Sequence, residues 1–176
     1  MLQVSALASR EIQAVIIALK EAEPEIRKAV NAQSKKVILP VWRQAIAEAT
    51  SISGGKNQKA RAKVLANTAK VTVGNKGVTL TAATTGKPLS GGLDGKTKWY
   101  ALEFGADPQR LRTVDSTSKL GKNYVMKNRS TTAQLDPRNS KGYSFYPAAR
   151  EVVPRVLSLW VQTSVKTFID LLENRT

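Results

Sequence analysis

Lys70-Val71-Thr72-Val73-Gly74-Asn75-Lys76-Gly77-Val78-Thr79-Leu80-Thr81 decides the fold class of this chain. Val71, Val73, Val78 and Leu80 alternate with Lys70, Thr72, Thr79 and Thr81 on either side of a Gly-Asn-Lys-Gly break. Alternation of this kind, rich in β-branched residues and split by turn formers, predicts an antiparallel hairpin with one buried face. The segments toward both ends repeat at a helical period instead. A hairpin between helical arms predicts an α+β fold, with long N-terminal and C-terminal helices packed on a small antiparallel sheet.

Working back from the hairpin, Lys59 to Ala69 reads as a short basic helix, and residues 51–58, with Gly54-Gly55, as a break. Before the break, Ile26, Val30, Val37, Val41 and Ala45 run beside Ile38, Trp42 and Ile46. These two apolar rows predict a helix from Pro24 to about Ala49, opened by a proline in its first turn. Pro40 falls inside it and is expected to kink it. Ile12, Val15, Ile16 and Leu19 predict a further helix over residues 7–22.

Working forward, residues 83–98 and 106–142 are polar, and read as extended basic loops within a single domain spanning 1–176. A loop as long as the second is expected to order against a partner. Val153, Leu157, Trp160, Val161, Val165, Phe168, Ile169 and Leu172 form one stripe, predicting a helix from about Pro147 to Glu173. Pro154 implies either a later start near Val153 or a bend.

Composition narrows the chemistry. The 176 residues include no cysteine and no histidine, which excludes disulfides, Cys-His pairs, Ser-His-Asp triads and histidine-based zinc sites. The thirteen carboxylates show no paired acid–base or calcium-loop spacing. The reading is of a protein that is not an enzyme and takes no cofactor. The longest apolar runs, such as Ala14 to Leu19, are too short to span a bilayer, so no membrane partner is expected. The start, Met1-Leu2-Gln3-Val4-Ser5, lacks a signal-peptide pattern and leads to an expectation of cytoplasmic synthesis.

The net charge is +15, and it is unevenly spread. Residues 51–104 hold nine Lys/Arg against two Asp/Glu, and residues 105–142 hold eight against three. The two ends are close to neutral. A nearly neutral scaffold displaying basic loops suits acidic protein faces or nucleic acid. The candidate contact residues are Lys56, Lys59, Arg61, Lys63, Lys96, Lys98, Arg110, Arg112, Lys119, Lys122, Lys127 and Arg129. Ser90-Gly91-Gly92-Leu93-Asp94-Gly95-Lys96-Thr97 approximates a phosphate-binding P-loop, but Ser90 replaces the first glycine and no strand precedes it, so it reads as a plain loop. Glu103, set among Trp99, Tyr100, Leu102 and Phe104, is expected to be partly buried or at an interface.

Two segments carry a family resemblance. Trp99-Tyr100-Ala101-Leu102-Glu103-Phe104-Gly105 resembles the "Tyr, two residues, Glu-Phe-Gly" signature of small tailed-phage neck proteins. Gly142-Tyr143-Ser144-Phe145-Tyr146-Pro147-Ala148-Ala149 resembles the "Pro-Phe-aliphatic-Pro-Ala" element that opens their C-terminal helix, with Gly142-Tyr143-Ser144 in place of the first proline. The order of elements is also similar. The resemblance implies a virion protein of the head–tail junction: a head–tail joining, neck or tail-completion protein, or the neighbouring tail terminator. It implies a homo-oligomeric ring, contacts with adjoining head-completion or adaptor and tail proteins, and transient contact with double-stranded DNA in the channel. Trp99, Tyr100, Glu103, Phe104, Tyr143, Phe145 and Tyr146 would be its interface residues. A reading of another class, a non-specific nucleic-acid-binding protein, rests on charge alone.

Overall fold

The computed structural model describes residues 2–4, 10–84, 89, 93–106, 112–128 and 135–173. Its elements are β1 (Leu2–Val4), α1 (Arg10–Glu21), α2 (Pro24–Ser53), α3 (Gln58–Arg61), β2 (Lys70–Gly74), β3 (Gly77–Ala82), α4 (Gly95–Phe104), β4 (Arg112–Thr117), β5 (Asn123–Asn128) and α5 (Phe145–Glu173). A π-helical turn, Ala62–Ala66, continues α3. The fold is α+β, with long terminal helices against a small antiparallel sheet.

The quoted hairpin forms as its alternation requires. Val71 pairs with Leu80 and Val73 with Val78. Val71, Val78 and Leu80 are buried, while Lys70 and Thr72 on the other face are exposed. β1 pairs with the far side of β3, giving the order β1-β3-β2. Three residues are too few for a strand pattern to emerge from sequence, and β1 was not among the expected elements.

α2 runs unbroken through Pro40, which lies on its exposed side. Its buried positions are Ile26, Val30, Ser34, Ile38, Trp42, Ile46 and Thr50, one every fourth residue. At 3.6 residues per turn such a row drifts about 40° around the helix at each step. The row therefore winds around α2, and different neighbours cover it in turn: α5, β2 and the π-helical turn. Val37, Val41 and Ala45 flank it half-buried, so the expected row that joined them to Ile26 and Val30 is divided, those two falling in the buried row with Ile38, Trp42 and Ile46.

α5 also keeps an every-fourth row: Ala148, Val152, Val156, Trp160 and Ser164 are buried. This differs from the expected stripe. Trp160 belongs to both, Val153, Leu157 and Val161 flank the buried row, and Val165 and Ile169 are about half exposed. The helix starts two residues before Pro147 and continues through Pro154. α2 and α5 run antiparallel, since Trp42 meets Phe145 at the start of α5 while Ala29 and Gln33 face Gln162 and Asp170 near its end. Rows spaced by four on both helices present matching ridges and grooves.

Trp42 ties three layers together. Its ring meets Phe145 edge-on, with centroids 5.2 Å apart, and its Nε1–H donates to the Thr81 carbonyl at 3.2 Å.

The two expected loops contain regular structure. Gly95 to Lys98 begin α4, because the Asp94 carboxylate caps it by accepting from the Lys96 N–H and the Thr97 hydroxyl, both at 2.9 Å. Those bonds hold the Asp94 carboxyl below its ordinary pKa. Residues 112–128 form a second hairpin, β4–β5, joined by a tip at Ser118–Lys122. It is a sheet of its own, and among the described residues no helix or strand of the body packs extensively along it; this hairpin is the arm.

Candidate functional site

The two segments with the family resemblance meet at one carboxyl group. α4 ends at Gly105, whose positive φ of 67° turns the chain away from the helix. Glu103, two residues earlier, is fully buried and reaches the start of α5. One carboxylate oxygen accepts from the Phe145 N–H at 3.0 Å and the Ser144 N–H at 3.1 Å. The other accepts from the Tyr146 N–H at 3.0 Å. The first N–H groups of a helix lack partners within the helix, and a carboxyl group there also meets the positive end of the helix dipole. Glu103 thus caps α5 from a distance of more than forty residues in sequence. Its carboxyl is pushed above its ordinary pKa by burial, against the pull of the three N–H groups and the nearby Arg61 charge.

A second buried carboxylate holds the turn that leads into α3. Asp136 accepts from the Lys56 N–H at 2.8 Å and the Asn57 N–H at 3.2 Å. It also pairs with the Arg61 guanidinium. Arg61 is completely enclosed, and donates in addition to the Gly54 carbonyl at the end of α2. Its guanidinium lies 4.6 Å from the centre of the Tyr143 ring, within cation–π range. The Tyr143 hydroxyl donates to the Pro137 carbonyl at 2.7 Å. Backbone bonds close the junction: Tyr143 N–H to Glu103 O, Asn139 N–H to Phe104 O and Ala106 N–H to Asp136 O. Residues 135–144 act as a strap that fastens the ends of α2 and α4 to the starts of α3 and α5.

The glycines at this junction are set by space. Gly142 has φ +81°, and a Cβ there would overlap the Glu103 carboxylate. Gly54 has φ +55° with nothing near its Cβ position. Gly54→Ala is therefore expected to cost about 1 kcal/mol for backbone strain alone. Gly142→Ala is expected to cost roughly 2 kcal/mol or more, because crowding adds to the strain. Urea unfolding midpoints of the two variants measure the difference.

The sequence-predicted residues fall into three groups. Trp99, Phe104 and Tyr146 come together half-buried, with Phe104 5.4 Å from Tyr146 and 6.4 Å from Trp99 between ring centroids. Tyr100 extends this patch and is 54% exposed. Glu103, Phe145 and Arg61 are instead enclosed, and their contacts are spent within the chain. Arg61 in particular differs from the surface contact expected of it, since its charge is neutralised by Asp136. Tyr143 sits between the groups, half-buried against Arg61. Lys56, Lys59, Lys63, Lys96, Lys98, Lys119 and Lys122 are exposed. Arg112 and Lys127 stand near the base of the arm, while Arg110 and Arg129 lie outside the described residues. From sequence Asp136 reads as a loop carboxylate without a matching partner; the structure corrects this, since its partners lie seventy-five or more residues away.

The P-loop-like stretch offers no phosphate cradle where it is described, because the Asp94 carboxylate already occupies the N-terminus of α4. Among the described residues no three His, Cys, Asp or Glu side chains gather as a metal site. No described helix is long and apolar enough to cross a membrane. No family model matches the chain, and neither a curated protein nor a solved structure matches it.

Proposed function

We propose that this is a structural protein of a tailed-phage head–tail junction, a neck or tail-completion protein that assembles as a ring and carries out no catalysis. The observation that supports the reading most is the Glu103 cap. It gives a physical reason for the two resembling segments to occur together: the Glu of one fixes the helix start in the other. The same cap presents Trp99, Tyr100, Phe104 and Tyr146 as one partly exposed aromatic patch on a rigid base. Aromatic anchors on a preorganised surface are what a subunit interface uses. The head-to-tail contacts of such subunits close into a ring when the rotation between them is a fraction of a full turn.

Electron microscopy of the purified protein, with mass measured by light scattering, tests the reading. Closed rings of uniform size are expected; monomers at every concentration would exclude it. Phe104→Ala and Tyr146→Ala are expected to weaken assembly at least tenfold while lowering the melting temperature by only a few degrees, since both side chains are partly exposed. Loss of stability with unchanged assembly would make the patch part of the core.

A further inference from the structure

The β4–β5 arm is a sheet of its own, separate from the β1-β3-β2 sheet of the body. A two-stranded hairpin is at best marginally stable in water. No helix or strand of the body packs extensively along this one among the described residues. No residue from Asp115 to Val125 is buried, so both faces of that part are open. The register is nonetheless regular from Arg112↔Asn128 to Thr117↔Asn123. The tip is held by the Ser118 N–H to Lys122 carbonyl bond, the Lys122 N–H to Ser118 Oγ bond and a Thr117–Asn123 side-chain bond. A shaped element with two open faces fits a role outside its own chain.

Its charges are arranged by position. Lys119 and Lys122 lie at the tip, and Arg112 and Lys127 near the base. Between them the strands carry Ser116, Thr117, Asn123, Tyr124 and Val125, with Asp115 the only acidic residue from 112 to 128. At about 3.3 Å per residue, a six-residue strand separates the two basic ends by about 17 Å. The major groove of duplex DNA is about 12 Å wide and admits a two-stranded β-ribbon.

We propose that the β4–β5 arm binds duplex DNA by lying across a groove, with its basic ends on the phosphates of the two walls and its middle, whose single charge is Asp115, over the groove floor. Contacts to phosphates carry no sequence information, and the Thr117 and Asn123 side chains are bonded to each other, so the binding is sequence-independent. The exposed Tyr124 side chain supplies apolar contact with sugars and bases. An anionic membrane would meet the same charges through the tip, where Leu120 is 92% exposed. The basic residues at the base would then be remote from the bilayer, so the two-ended arrangement favours the duplex. The inference stands on the arm alone and does not rest on the ring reading.

The test is fluorescence anisotropy of a labelled duplex with the full chain, titrated across salt concentrations. Lys119→Gln/Lys122→Gln is compared with Lys35→Gln/Lys36→Gln, an equal loss of charge on the exposed side of α2. Each phosphate contact contributes about 0.9 to the slope of log affinity against log salt. The arm pair is expected to lower that slope by about 2 and to weaken binding at least tenfold at low salt, and the α2 pair by clearly less. A single strand of the same sequence is expected to bind more weakly than the duplex. Equal losses from the two pairs, or tighter binding to the single strand, would overturn the proposal. So would an arm pair that lost only its attachment to phosphatidylserine vesicles and kept its DNA binding.

Discussion

Asp136→Asn is expected to destabilise the protein by about 3–5 kcal/mol at neutral pH, the usual cost of breaking a buried ion pair from one side. The guanidinium of Arg61 is wholly enclosed, and Asp136 supplies its only carboxylate partner among the described residues. Asparagine keeps the volume but cannot neutralise the charge. One of its two oxygen positions becomes an amide donor, facing either Arg61 or the Lys56 and Asn57 N–H groups. Arg61→Met should cost less than Asp136→Asn, because removing the cation leaves a carboxylate that still accepts two N–H bonds. A double variant, Arg61→Met/Asp136→Asn, should recover part of the loss, since apolar replacement of a buried pair is often close to neutral. Urea denaturation of the four proteins measures both the cost and the coupling.

The pH dependence follows from the direction of the shift. Burial by itself would raise the Asp136 pKa, but the Arg61 guanidinium and the two N–H donors together outweigh it and hold the group below its ordinary value. A lowered folded-state pKa contributes stability that is complete above the unfolded-state value near 4 and is lost as pH falls through the folded value. The gap between wild type and Asp136→Asn should therefore be widest at neutral pH and shrink below about pH 4. Glu103 has the opposite sign. Its pKa is raised, so its titration favours the folded state in acid and withdraws that contribution as pH rises through the folded value. Melting curves at pH 3 and pH 7 for wild type and Asp136→Asn separate the two groups.

What the sequence could disclose depended on how far apart the interacting residues lie. The β2–β3 hairpin was legible because Val71, Val78 and Leu80 alternate within a dozen residues around a glycine-bounded turn. The terminal helices were legible through their periodic apolar residues. The β4–β5 arm was not, because neither face is covered between Asp115 and Val125 and no apolar–polar alternation is imposed. α4 is only ten residues long and is interrupted at Lys98 by non-helical dihedrals, yet Asp94 followed by Thr97 was a readable start signal. The junction was the least legible. Glu103 was correctly placed among aromatic residues, but its partners at Ser144 to Tyr146 lie beyond a long polar stretch with no periodic pattern. Arg61 read as one of many surface cations because nothing within ten residues of it announces Asp136.

Glu103→Ala should cost about 3–5 kcal/mol, since hydrogen bonds to a charged acceptor contribute roughly 1.5–3 kcal/mol each and water entering the vacated space would replace only part of them. The N–H groups of Ser144, Phe145 and Tyr146 would lose their acceptor at a site where Ser144 and Phe145 are themselves fully buried. Glu103→Gln should fall between, because one side-chain oxygen is retained and the amide nitrogen confronts an N–H donor. The loss has a direction as well as a size. Phe145 meets Trp42 edge-on and Trp42 binds Thr81, so loosening the start of α5 reaches both α2 and the sheet. Tyr146 also carries one edge of the aromatic patch through its contact with Phe104. Glu103→Gln should therefore weaken assembly by more than its stability loss alone explains, at concentrations where the variant remains folded. Hydrogen exchange of the first turn of α5, followed beside particle mass, distinguishes the outcomes. Fast exchange at Ser144 to Tyr146 with impaired assembly is the expected pair, and normal exchange there would mean that Glu103 does not hold the helix.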